Sequence, residues 1–264
     1  MNNQVKILDN KVAIITGAAS GIGKATALRL ASSGAAIGLI DLKEKKAEKV
    51  KAEINQHGGK AMIIDADLKD PVRVKQGIDE IVQAFGRLDI VFANAGINGV
   101  ITPIEDFSPE DWDNTLATNL KSTFLTVKYA IPYMKTKGGS IIITSSVNGN
   151  RKFSGTGMSA YSSSKAGQMA FGKMAALELS TYKIRVNIIC PGAIKTNIGE
   201  NTHPEKSELK KVQIPVEYPE GSHPLEDKPG NPEQVASLVH FLASDESSHI
   251  SGTEVYVDGA ETLL

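Results

Sequence analysis

The feature that most restricts what this chain can fold into is the way its hydrophobic period changes back and forth along its length. Seven short runs are β-branched and mostly apolar throughout: VAIIT (Val12–Thr16), AIGLID (Ala36–Asp41), AMIID (Ala61–Asp65), IVFAN (Ile90–Asn94), SIIIT (Ser140–Thr144), VNIIC (Val186–Cys190) and EVYVD (Glu254–Asp258). A strand with one face in water alternates apolar and polar residues, whereas a strand covered on both faces does not. Between the runs, longer segments predict helices over Ile22–Ser33, Lys43–Gln56, Val72–Ala84, Pro109–Lys135, Tyr161–Thr181 and Pro232–Ala243. Strand and helix alternating from end to end imply an α/β fold, a doubly wound parallel sheet of seven strands with helices on both faces. At 264 residues, without an internal repeat or linker, the chain suits one domain over 1–264.

Punctuation agrees with this period. In FSPEDW, Ser108 is placed as an N-cap and Pro109 at the first helical position, with Phe107 packing on Trp112 as a hydrophobic staple. Gly34 closes the first helix. One segment breaks the rhythm: 197–231 is rich in Pro, Glu, Lys and His and lacks a long period. A long irregular loop in a tight α/β chain is expected to be a functional lid.

The first strand runs into TGAASGIG (Thr16–Gly23), which opens the first helix. Gly17, Gly21 and Gly23 permit a tight turn, and the helix N-terminus then offers free N–H groups to a pyrophosphate. The placement between strand and helix marks a Rossmann-like dinucleotide site. Asp41 ends the second strand, 24 residues after Gly17, where a carboxylate accepts ribose hydroxyls and repels a 2′-phosphate. Ser20, not a cation, precedes the middle glycine; both features favour NAD over NADP.

Charge excludes other functions. Lys plus Arg (29) nearly cancels Asp plus Glu (30), so there is no basic stripe for nucleic acid. No apolar run reaches the ~18 residues that span a bilayer, so no membrane partner is expected. The single cysteine, Cys190, reads as a buried strand residue, consistent with a reducing cytoplasm. No histidine has a metal-ligand partner at useful spacing, so no metal is expected.

In SAYSSSKAGQ, Tyr161 and Lys165 stand four residues apart among small residues. On a helix they share a face, and a cation beside a phenol lowers its pKa toward the working range of an acid/base. Asp41, Asp67, Asn94–Gly96, Thr144–Ser146 and Pro191–Gly192 all fall at or just after strand C-termini, the edge where open parallel sheets bind ligands.

TGAASGIG, NAG (Asn94–Gly96), the Ser146 region, YSSSK and PGAIKT, in this order, resemble the short-chain dehydrogenase/reductase family, and the resemblance covers Lys11 to Gly259. It implies that Tyr161 is the acid/base, that Lys165 lowers its pKa and binds the nicotinamide ribose, that Ser146 hydrogen-bonds the substrate oxygen, and that Asn119 holds a water relaying protons through Lys165. The cofactor-binding set it implies is Gly17, Ser20, Gly21, Ile22, Gly23, Asp41, Leu42, Asp67, Leu68, Asn94, Gly96, Tyr161, Lys165, Pro191, Gly192, Ile194 and Thr196. Within that set Asp67 and Leu68 flank the adenine, Asn94 braces the central strands, Gly96 lies near the adenosine ribose, and Ile194 and Thr196 meet the carboxamide and phosphates. It also implies strand order 3-2-1-4-5-6-7 and a homotetramer. Ser146 precedes Tyr161 by 15 residues, slightly more than the family's usual gap. Either RKFSGTGMS (Arg151–Ser159) is a longer pocket loop, or Ser145 or Ser159 takes the serine's place.

The function expected is NAD-dependent interconversion of a secondary alcohol and a ketone. Its rivals are a 3-oxoacyl-thioester reductase, a dinucleotide-binding sensor or scaffold without turnover, and a sugar-nucleotide epimerase or dehydratase. The last needs a larger C-terminal domain.

Overall fold

The computed structural model of the chain describes residues 6–153, 155–218 and 221–264. Ser154 in the expected pocket loop and residues 219–220 in the expected lid lie outside the described residues. The strands are β1 (Val12–Thr16), β2 (Ala36–Asp41), β3 (Lys60–Asp65), β4 (Ile90–Ala93), β5 (Gly99–Ile101), β6 (Gly139–Thr144), β7 (Ile184–Pro191), β8 (Thr202–Pro204) and β9 (Glu254–Val257). The main sheet has seven strands in the order β3-β2-β1-β4-β6-β7-β9, all paired in parallel. With β5 and β8 set aside, this is the expected order. The chain winds outward from β1 to β3, then returns to lay β4 beside β1. The reversal opens a crevice above the C-terminal ends of β1 and β4.

The helices are α1 (Gly21–Ser32), α2 (Glu44–Gln56), α3 (Pro71–Phe85), α4 (Pro109–Leu116), α5 (Ser122–Met134), α6 (Ser159–Leu179), α7 (Lys206–Val212) and α8 (Pro232–Ala243). Successive residues of β1 serve opposite faces: Val12 and Ile14 pack with α3, α5 and α6, Ala13 and Ile15 with α1, α2 and α8. That two-sided burial is why the strands read as unbroken apolar runs. Capping follows local chemistry. Asp70 accepts from the Val72 and Arg73 N–H groups at the start of α3. Ser108 accepts from Asp111 N–H at 3.0 Å, and Phe107 meets Trp112 edge to face at 6.1 Å. Gly34 takes a left-handed φ of 103° just past α1.

Two expectations need correction. The helix expected over Pro109–Lys135 is not one α-helix, because a π-helical turn at Ala117–Lys121 separates α4 from α5. Nothing in the hydrophobic period signals the extra residue. The expected irregular lid is more ordered than its composition suggests. It contains a 3-10 turn (Ile198–Asn201), β8 and α7, and β8 pairs in parallel with β5. Both strands have three residues, too short to register as a periodic pattern. Among the described residues, no helix is long and apolar enough to cross a membrane.

Candidate active site

A single cleft of about 710 Å³ follows the C-terminal edge of the sheet. It is lined by all the expected site residues except Gly23 and Asn119. Those two act beneath the surface. A Cβ on Gly23 would stand 2.1 Å from the Gly17 carbonyl oxygen, so this glycine lets α1 close onto β1. Gly17 and Gly21 have left-handed φ values of 64° and 51°, which side chains resist. Ser20 caps α1 without spending its hydroxyl on the helix. The first-turn N–H groups are thus left to an anion.

Asp41 lies at one end. Its Oδ2 accepts from Ala19 N–H at 2.9 Å and its Oδ1 from Lys43 N–H at 2.8 Å. The carboxylate fastens the glycine loop to β2, and each oxygen keeps a free lone pair for a further donor. Leu42 stands exposed beside it. Asp67 Oδ1 accepts from Lys69 N–H at 2.9 Å, shaping the turn that carries Leu68. Asn94 braces three strands as expected: its Nδ2 donates to Thr16 O at 3.1 Å, its own N–H meets Thr16 Oγ1 at 2.9 Å, and its Oδ1 accepts from Thr144 at 3.2 Å.

The other end carries Ser146, Tyr161 and Lys165. Small residues and Gln168 let α6 pack tightly, and Tyr161 and Lys165 are both buried. Lys165 Nζ lies 5.6 Å from the centroid of the Tyr161 ring and donates to the Thr144 carbonyl at 2.9 Å. Burial brings the Lys165 ammonium down to about 8. Burial pushes the Tyr161 phenol up, and its hydrogen bond with Ser146 acts in the opposite direction. The sequence pairing alone implied a lowered phenol. In the structure desolvation wins, because the ammonium is turned to a backbone carbonyl.

The serine question resolves by geometry. Ser145 Oγ donates to the Lys165 carbonyl at 2.8 Å, which commits it to holding α6. Ser159 Oγ is buried without a partner and does not line the cleft. Ser146 faces the cleft, and its hydroxyl stands near enough to the Tyr161 phenol to act on it against the effect of burial.

Asn119 occupies the π-turn. Its Nδ2 donates to Ile97 O at 2.9 Å and to Ser164 Oγ at 3.0 Å, and its Oδ1 accepts from Ile97 N–H at 2.8 Å. Its carbonyl accepts from Thr123 and from Gln168 Nε2. The pair of bonds to Ile97 makes Asn119 a clamp on the 94–98 loop. Gly96 fits between them, since a Cβ there would meet Asn119 Oδ1 at 3.1 Å and Lys165 Nζ at 3.4 Å. Pro191, Gly192, Ile194 and Thr196 form the remaining wall, with Thr196 over Gly21. Cys190, just below, has its thiol pushed up to about 12 by burial and is unsuited to nucleophilic work.

Sequence reasoning missed several lining residues, Glu261 among them, whereas Lys152 falls in the expected pocket loop. Glu261, from the C-terminal tail, is buried against this wall; its Oε2 accepts from Ala193 N–H at 2.8 Å and its Oε1 from Lys152 Nζ at 2.7 Å. No motif joins residues so far apart, so no local signal marks them.

A cradle only glycine can form, a helix N-terminus, a carboxylate at one end and a buried Ser–Tyr–Lys set at the other fit a nicotinamide dinucleotide. That defines an oxidoreductase site. The family model described as Enoyl-(Acyl carrier protein) reductase matches residues 17–260. The cyclohexanol dehydrogenase of Acinetobacter sp. (strain SE19) is 38% identical over 255 residues, covering 96% of each chain. A 3-ketoacyl-ACP reductase from Sinorhizobium meliloti 1021 superposes with a TM-score of 0.91 at 45% identity, covering 96% of this chain and 99% of that one. Carveol dehydrogenase from Mycobacterium avium, solved in complex with NAD, has a TM-score of 0.87 at 27% identity, covering 98% and 99%. The chain belongs to the short-chain dehydrogenase/reductase family, oxidoreductases that act on CH–OH groups.

Proposed function

We propose that the protein is an NAD-dependent dehydrogenase that interconverts an alicyclic secondary alcohol and its ketone. The observation that carries this reading is Ser146, Tyr161 and Lys165 at one end of a cleft whose other end carries Asp41. When bound, the nicotinamide supplies or accepts the hydride. In ketone reduction, the Tyr161 phenol gives its proton to the carbonyl oxygen while the Ser146 hydroxyl donates a hydrogen bond to the same oxygen. In alcohol oxidation, the phenolate takes the hydroxyl proton. Lys165, while charged, favours the phenolate, and Asn119 fixes the loop beside it. Because burial raises the Tyr161 phenol, the protonated form needed for reduction prevails at neutral pH. Oxidation, which needs the phenolate, gains rate toward alkaline pH.

Asp41 supports NAD. Both free lone pairs lie where ribose hydroxyls would donate, and a 2′-phosphate would face a carboxylate. The nearby cations do not offset this, because Lys43 and Lys46 pair with Glu200 at 2.9 and 3.0 Å. The name of the Acinetobacter relative supports a cyclic alcohol. The name of the Sinorhizobium structure supports a second reading, reduction of a 3-oxoacyl thioester. A homotetramer, as the family implies, is consistent with exposed Phe124 on α5 and exposed Met174 and Leu177 on α6. The test is kcat/KM for cyclohexanol, cyclohexanone and a 3-oxoacyl thioester with each of NAD(H) and NADP(H). The reading stands if the ring compounds with NAD(H) lead by about tenfold or more. It falls if the thioester with NADPH leads.

A further inference from the structure

The substrate end of the cleft does not stop at Tyr161. A second cavity of about 470 Å³ lies beside it, under the segment that follows β8. Its walls are mixed: Ile101, Pro204, Leu209, Ile214 and Val216 supply apolar surface, and Thr156, Gln213 and Ser222 supply polar groups. Lys152, Gly155 and Met158 line both spaces, so the wall between them comes from the loop that joins Ser146 to Tyr161. Lys152 is held in that wall through its Nζ. Its Nζ donates to buried Glu261 at 2.7 Å and lies 5.8 Å from the Tyr218 ring. Glu261 is in turn fixed by the Ala193 N–H.

This arrangement is not an anion site. The charge of Lys152 is already matched by a carboxylate with a side-chain exposure of only 5%. A substrate anion would have to displace that carboxylate, which would then be buried without its cation. What the pair does hold in place is a hydrocarbon stem. The Lys152 methylenes and the unbranched, adaptable Met158 side chain stand between the two spaces.

Resting on the proposed function, we infer that the Lys152–Glu261 ion pair is a specificity-determining partition. With it closed, the pocket ends near Tyr161 and favours compact ring alcohols. With it removed, the two spaces join, and a neutral substrate with a second ring or hydrocarbon arm extends along the Ile101, Leu209 and Val216 side of the second cavity. Each methylene moved from water to such a wall is worth about fourfold in affinity.

The experiment compares kcat/KM for cyclohexanol and 4-cyclohexylcyclohexanol in wild type, Lys152→Ala, Lys152→Arg and Glu261→Gln. Lys152→Ala should shift the ratio of the two values toward the larger alcohol by about tenfold, as two or so additional buried methylenes imply. Glu261→Gln keeps an acceptor for Ala193 but loses the ion pair, and should shift the ratio the same way. Lys152→Arg keeps the pair and should behave as wild type. An unchanged ratio in both Lys152→Ala and Glu261→Gln, with NADH binding and melting temperature intact, overturns the partition. If wild type oxidises neither alcohol with either dinucleotide, the functional reading falls instead. The partition is then judged by calorimetric binding of 4-cyclohexylcyclohexanol to the NADH-bound protein. Tighter binding to Lys152→Ala or Glu261→Gln sustains it, and equal or weaker binding to both overturns it.

Discussion

The Asp41 end of the cleft, proposed to take adenosine, and the Tyr161 end, proposed to take substrate, are held by different kinds of bond. At the adenosine end, backbone groups do most of the work: Gly17 N–H bonds the Ile40 carbonyl, Ala19 N–H bonds Asp41, and Asn94 bonds both the backbone and side chain of Thr16. At the substrate end, side chains far apart in sequence hold the walls. Lys152 reaches Glu261 across 109 residues, and Thr102 reaches Glu205 across 103. Backbone geometry tolerates few residue types, so the first end is tightly specified. Side-chain pairs can be exchanged for other pairs of similar reach, so the second end can change its substrate while the hydride chemistry stays in place.

The largest expected effect tests the point where the two ends meet. Tyr161→Phe keeps the ring and deletes the proton carrier. Turnover should fall by about a hundred- to ten-thousandfold, while NADH binding, measured by fluorescence titration, barely changes. Near-normal turnover would remove Tyr161 from the chemistry.

Next comes the adenosine end. Asp41→Ala with Leu42→Arg removes the carboxylate and supplies a cation to a 2′-phosphate. The preference for NAD over NADP in kcat/KM should narrow by about tenfold or more, from the loss of charge-assisted hydrogen bonds and of like-charge repulsion. Equal use of both dinucleotides by wild type would sink the assignment of Asp41 and leave the fold untouched.

Lys165 offers a test by stability. Its folded-state value of about 8 lies below the ordinary 10.5. Between those values the folded protein binds fewer protons than the unfolded chain, so stability rises with pH across that window, and the burden is fully present below about pH 8. The shift corresponds to about 3 kcal/mol. Lys165→Met removes this burden and also the bond to the Thr144 carbonyl, for a net gain of about 1–2 kcal/mol at pH 7. Chemical denaturation at pH 7 and pH 10 should show the variant more stable at pH 7 and the gap closing at pH 10, with activity lost at both. A variant less stable than wild type at pH 7 would mean that the ammonium is better solvated than its burial implies.

The smallest expected effect concerns the proposed lid over 197–231. Its first part is tethered: Glu200 pairs with Lys43 and Lys46, β8 pairs with β5, and Asn98 donates to Thr202 at 3.0 Å. Exposed ion pairs contribute little individually, but the strand pairing adds to them. Hydrogen exchange should therefore change on dinucleotide and substrate binding mainly over 213–218 and 221–228, and less over 198–212. Uniform fast exchange across 198–228 in the free protein would show that the tethers do not hold.

These contrasts explain how much was legible beforehand. The seven main strands, their order and six of the helical regions followed from period and resemblance, since a strand buried on both faces cannot carry polar residues without partners. Ser108 could be placed because a cap makes local demands, and the bracing by Asn94 followed from the family resemblance. The π-turn at Asn119 escaped, because one extra residue in a helix leaves the apolar period almost unaltered.

By itself, the sequence determined a doubly wound sheet, a glycine-built phosphate turn and a tyrosine one helical turn from a lysine, all of which depend on neighbours within a few residues. Only the tertiary structure decided three further matters. It committed Ser145 to α6 and left Ser146 to face Tyr161. It raised rather than lowered the Tyr161 phenol. It set Glu261 against Lys152 in the wall of the substrate pocket. Each of these turns on burial and on distances between segments far apart in the chain. Desolvation and long-range pairing exist only once the chain has packed, so no spacing along the sequence could have carried them.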